Sequence, residues 1–172
     1  MNYPLFLFFG LAPSIIWLLF YLRKDSHPEP KLLIGKIFLW GMLITIPAIA
    51  VELSLKSLIL NIPLQDGLRI ALYFFLGVAL VEELLKYFVV RAFVFYKPQL
   101  NEAVDVMIYM VVSALGFAAL ENIFLLAGLG PFSPVSSIVA LSAVRLVGAT
   151  LLHALASGLF GYFLARSFLE PA

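Results

Sequence analysis

The 172-residue sequence contains no cysteine. Disulfides, thiolate metal sites and a cysteine nucleophile are therefore excluded. Charge is also scarce. Asp, Glu, Lys and Arg make up 12% of the residues, where a soluble domain carries about 25%. The net charge is +1 and basic residues form no run, so nothing points to a nucleic-acid partner. No basic stretch precedes the first apolar segment and no clear small-residue cleavage site follows it. That segment reads as a retained helix and not a removed leader. The helical zinc signature HExxH is missing. No inverted repeat or matched pair of broken helices suggests a transporter.

What fills the sequence is apolar. Hydrophobic residues account for 63%, and the mean hydropathy is +1.08. The expectation is an all-α polytopic membrane helical bundle, one integral membrane domain over 1–172. Apolar runs place about five transmembrane helices at 3–22, 32–53, 69–95, 103–129 and 144–168. Glu52 to Gly67 is amphipathic and broken by Pro63, which predicts an interfacial segment. Asn101 is the expected N-cap of the fourth helix. The stretch from Ser133 to Leu169 would exceed about 50 Å as one helix, so it should divide. Arg23, Lys24, Lys31, Lys97 and Arg166 would share one side of the membrane. The positive-inside rule then puts the N-terminus outside and the C-terminus in the cytoplasm.

Against that background the few ionisable residues stand out. A charge at mid-bilayer costs at least about 2.5–3.5 kcal/mol, so such residues are kept because they pair, relay protons or do chemistry. Glu82, Glu83 and Lys86 lie within one helical turn of each other. One Lys neutralises only one Glu, and the other needs a partner on another helix, a proton or a cation. Glu121 and Asn122 lie in the fourth span, and His153 in the fifth. Small residues four apart let the last helices approach closely: Ala114 with Ala118, Ala154 with Gly158, and Ser157 with Gly161. One shared site between the last three spans is the expectation. A Glu there could activate water as a general base. His153 could transfer a proton, donate to an oxyanion or bind a metal. Glu83, Glu121 and His153 could together hold a catalytic zinc. Arg145 reads as an interfacial anchor, Tyr109 as packing and His27 as a solvated loop residue. Ser157 has His153 as its only candidate base, and a serine mechanism would leave the Glu pair unexplained.

EELLK at 82–86, LNEAVDVMIY at 100–109, GFAALENIF at 116–124 and HALASGLFGYFL at 153–164 resemble the PrsW family of intramembrane proteases. The loop DSHPEPK at 25–31 is also similar. The resemblance implies that Glu82, Glu83, Glu121 and His153 are catalytic or metal-binding, with Asn122 in support, while Lys86 reads as holding the Glu pair in place and tuning its charge. It implies a prokaryotic cell membrane and a single-span membrane protein substrate, of the kind exemplified by membrane-anchored anti-sigma factors. The chain departs from the family in having about five spans and in carrying Val106 where a Gly is expected. Two other readings compete: a proton-coupled transporter or channel, and a non-catalytic membrane scaffold.

Overall fold

A computed structural model describes residues 1–24, 29–95 and 102–169. Its elements are α1 (Tyr3–Leu22), α2 (Lys31–Ile59), α3 (Asp66–Leu72), a π-helical segment (Tyr73–Ala79), α4 (Leu80–Phe93), α5 (Ala103–Ala127), α6 (Val135–Val147) and α7 (Ala149–Leu169). There is no strand among the described residues. By length and composition, four helical runs suit a membrane crossing: Tyr3–Leu22, Lys31–Ile59, Val104–Ala127 and Val135–Ser167. The Glu-bearing run, expected as a further crossing, is helical from Asp66 to Phe93 but is not among those four. Wide π turns divide it, and Glu82, Glu83 and Lys86 interrupt its apolar sequence.

α5 is the axis of the bundle, buried on nearly every side chain from Asp105 to Ala119. α1, α2, α4 and α7 all pack on it. Lipid removes the hydrophobic drive between helices, so close backbone contact and hydrogen bonds must hold them. Gly41 and Gly116 allow that contact between α2 and α5. A Cβ at Gly41 would fall 2.2 Å from the Ser113 carbonyl oxygen, and one at Gly116 would fall 2.1 Å from that of Phe38. The small residues predicted to mediate packing do so: Ala114, Ala118, Ala154 and Ser157 are all buried. Large apolar side chains such as Phe8, Leu39, Phe75 and Leu155 point outward.

Several expectations about boundaries are revised. α2 does not stop near residue 53 but continues to Ile59, so Glu52 belongs to the bundle and not to an interfacial segment. Ser54 and Ser57 return their hydroxyls to the carbonyls of Ala50 and Ser54, which lets polar residues remain helical. The long C-terminal run does divide, at Gly148, with φ −97° and ψ −104°. The last helix therefore starts at Ala149, and Arg145 ends α6. The N-cap of α5 is Glu102, in a capping box with Asp105. Asn101, the residue expected there, lies outside the described residues, as do His27 and Lys97.

Helix direction sets where polar residues meet. Gly41 opposes Ser113, and the Thr45 hydroxyl donates to the Phe117 carbonyl at 3.3 Å, so α2 and α5 run the same way. Gly10 opposes Ile123 in α1, and Gly161 opposes Met107 in α7, so both run against α5. The start of α4, the end of α5, the start of α7 and the later turns of α2 thus gather at one end of the bundle.

Candidate active site

The start of α4 supplies Glu82, Glu83 and Lys86, α5 supplies Glu121 and Asn122, and α7 supplies His153. The cluster predicted from sequence is assembled. Lys86 is its centre and is fully buried. Its Nζ donates to Glu83 Oε1 at 2.8 Å and to Glu82 Oε2 at 3.2 Å. It therefore bridges both carboxylates instead of choosing one. The same Nζ lies 3.0 Å from His153 Nδ1 and 4.6 Å from the Phe117 ring centre. A Ser113 hydroxyl donates to the Lys86 carbonyl at 3.2 Å and locks α4 to α5.

His153 connects the two halves of the site. Its Nδ1 lies 3.4 Å from Glu82 Oε2, and its Nε2 lies 3.2 Å from Glu121 Oε2. An ammonium beside Nδ1 makes that nitrogen an acceptor. The ring proton is then assigned to Nε2, which donates to Glu121.

Sequence reasoning placed Arg145 at the interface, and the structure corrects this. Arg145 reaches in from α6 to ion-pair with Glu121 through Nη2, and its Nε donates to Asn122 Oδ1 at 2.5 Å. Asn122 Nδ2 in turn donates to Thr150 Oγ1 at 3.1 Å and to the Gly10 carbonyl at 3.4 Å. Trp17 Nε1 donates to the Leu146 carbonyl at 2.8 Å and holds the end of α6 in place.

Ser157, one turn beyond His153, donates to Glu83 Oε2 at 2.6 Å. It serves the Glu pair and is not presented as a nucleophile. Tyr109 is more than packing: its hydroxyl donates to Glu29, at the opposite end of the bundle. Glu52 faces the cluster from α2, on the same stripe as Thr45 and Ala48, within electrostatic reach of Glu82, Glu121 and Lys86. Its Oε1 is sealed from the surface and has no hydrogen-bond partner among the described residues.

The donor set does not fit a metal as it is placed. Glu82 Oε2, Glu83 Oε1 and His153 Nδ1 converge on one point, and Lys86 Nζ occupies it. Glu121 faces the other ring nitrogen and is engaged by Arg145. Among the described residues no group of three His, Asp or Glu side chains could hold one metal ion. The predicted zinc set of Glu83, Glu121 and His153 is thus divided across the imidazole.

A cavity of about 320 Å³ opens beside the π-helical segment, between Phe75, Leu80, Leu84 and Phe160. Among the described residues, Glu83 is the one ionisable residue on its wall.

Fold and cluster together define a polytopic helical membrane protein in which Glu82, Glu83, Lys86, Glu121 and His153 converge in one site. The family described as "PrsW family intramembrane metalloprotease" matches residues 29–172. The chain belongs to this PrsW family. Among its relatives is Protease PrsW of Geobacillus kaustophilus (strain HTA426), 31% identical over 160 residues, which cover 92% of this chain and 64% of that protein. Protease PrsW of Oceanobacillus iheyensis is 28% identical over 158 residues, or 92% and 67% of the two chains. Protease PrsW of Bacillus subtilis (strain 168) is 27% identical over 161 residues, or 92% and 66%. The chain thus spans about two thirds of the length of these curated relatives. No solved structure gives a significant match.

Proposed function

We propose that the chain is an intramembrane endopeptidase that hydrolyses a peptide bond of a single-span membrane protein. The observation that carries this is the convergence of Glu82, Glu83, Lys86, Glu121 and His153 from three helices, each within 3.4 Å of the next. Glu82 is the general base. One of its oxygens is committed to Lys86, and the other has no hydrogen-bond partner among the described residues. It takes a proton from water as the water oxygen attacks the scissile carbonyl carbon. The C–N bond then breaks, and the proton passes to the leaving amine, with His153 beside Glu82 as the relay. The products are a carboxylate and an amine. Lys86 and Arg145 hold the carboxylates in place, Asn122 orients Arg145, and Ser157 orients Glu83. No step is routed through a metal, because Lys86 fills the point where the ligands converge.

The substrate reaches Glu83 from the bilayer through the lateral cavity. An unwound peptide exposes backbone groups that need partners in lipid, and Glu83 is the polar group this cavity offers. With a photoreactive residue at Leu84, a single-span substrate should crosslink strongly. The same probe at Leu39, on the exposed face of α2, should give background labelling. Equal labelling at both positions would remove the lateral route.

The basic residues set the orientation: N-terminus outside, C-terminus in the cytoplasm of a prokaryotic cell, and the cluster in the outer half of the membrane. Reporter fusions after Leu129 should read as external and those after Glu170 as cytoplasmic. Both reading on the same side would contradict this topology.

A further inference from the structure

From the end of the bundle opposite the cluster, a groove of about 390 Å³ runs between α1, α5 and α7 as far as Ala154, beside the cluster. Its walls are almost wholly apolar, formed by Val111, Ala154, Leu155, Gly158 and Leu159, and Lys24 closes its end. A second, open recess of about 480 Å³ is lined, among the described residues, by the end of α1 alone, by Ile16, Leu19, Phe20 and Arg23, and Lys24 borders it too. Both volumes fall in the range of ligand sites, about 300–1,000 Å³. Arg23 and Lys24 are exposed, and neither meets a carboxylate among the described residues. The Lys24 ammonium lies 5.7 Å from the Phe20 ring centre, held at the junction of the two grooves.

We propose that the end of α1 binds one anionic phospholipid, with its phosphate on Arg23 and Lys24 and one acyl chain in each groove. An apolar groove and a more polar recess that share Lys24, with Arg23 beside it, match a molecule with two chains and one negative head, and neither cation meets a carboxylate among the described residues. Basic residues at the membrane surface attract anionic lipid in just this way. A zwitterionic lipid would bring its own cation to the same point and lose that attraction.

The site would also steady the catalytic end. Ala154 and Gly158 face the groove on the same two turns of α7 that turn His153 and Ser157 toward the cluster. A chain packed against them fixes the rotation of α7. This lipid site stands whether or not the cluster cleaves peptides.

Native mass spectrometry of the purified chain, with phosphatidylglycerol and phosphatidylcholine supplied in equal amounts, tests it. The wild type should retain one phosphatidylglycerol per chain, preferred by about tenfold or more. Arg23→Gln with Lys24→Gln should bring that preference to about one. Leu155→Trp, which fills the groove from a position 55% exposed, should cut lipid retention by about tenfold with the melting temperature kept. No bound lipid in the wild type would overturn the proposal. So would equal retention of the two lipids, or a preference that survives loss of both cations.

Discussion

Lys86→Met should destabilise the protein by about 3–5 kcal/mol, enough to abolish the folded state of a marginal bundle. The size follows from what is left behind. Lys86 is fully buried and bonded to Glu82, Glu83 and the Nδ1 side of His153. Methionine has a similar shape, so packing on Phe117 survives and the charge alone is lost. Two carboxylates one residue apart would then face each other in a medium that cannot solvate them. Adding Glu83→Gln to Lys86→Met should recover part of the stability, because one uncompensated charge is removed. Thermal melting of the purified single and double variants in detergent measures both effects. A Lys86→Met protein that melts with the wild type would show that Lys86 does not hold the cluster.

The second large effect is on chemistry. Glu82→Gln should lower the cleavage rate by at least about 10²–10⁴-fold, the usual worth of a general base. The amide keeps the shape and can still approach Lys86 through its oxygen, so the fold should persist. It cannot take a proton from water. The loss should appear in kcat with KM little changed, since Glu82 is not on the wall of the lateral cavity. Glu83→Gln is expected to act on both parameters. Its carboxylate bonds Lys86 and Ser157 and also lines the cavity. Equal loss of kcat in a variant that melts early would instead assign Glu82 a structural role.

Much of this site was legible because lipid makes polarity conspicuous. Glu82, Glu83, Lys86, Glu121 and His153 each interrupt an apolar run, and each has a place in the cluster. The small residues on α5 and α7 gave the packing that brings them together. Arg145 was not legible, because its partner is 24 residues away on another helix. Its position depends on the break at Gly148, which hydropathy does not register. Glu52 was hidden by its neighbours. Ser54, Lys56 and Ser57 resemble an interfacial stretch, yet the helix continues through them. Ser157 offered a signal, being one turn from His153 on the same face, but its partner Glu83 was visible only in three dimensions. That Glu82 and Glu121 lie against opposite nitrogens of the His153 ring was not legible either, since spacing cannot tell which ring nitrogen a carboxylate will face.

The central claim is that the Lys86-centred cluster hydrolyses peptides inside the bilayer. The most direct test reconstitutes the purified chain into vesicles with a single-span membrane protein and reads the products by mass spectrometry. The wild type should yield two fragments whose masses sum to the substrate plus one water, with and without a metal chelator. Glu82→Gln vesicles should return the substrate intact. A wild-type protein that melts as a folded bundle and leaves every substrate uncut, or one whose cleavage persists in Glu82→Gln, would contradict the account.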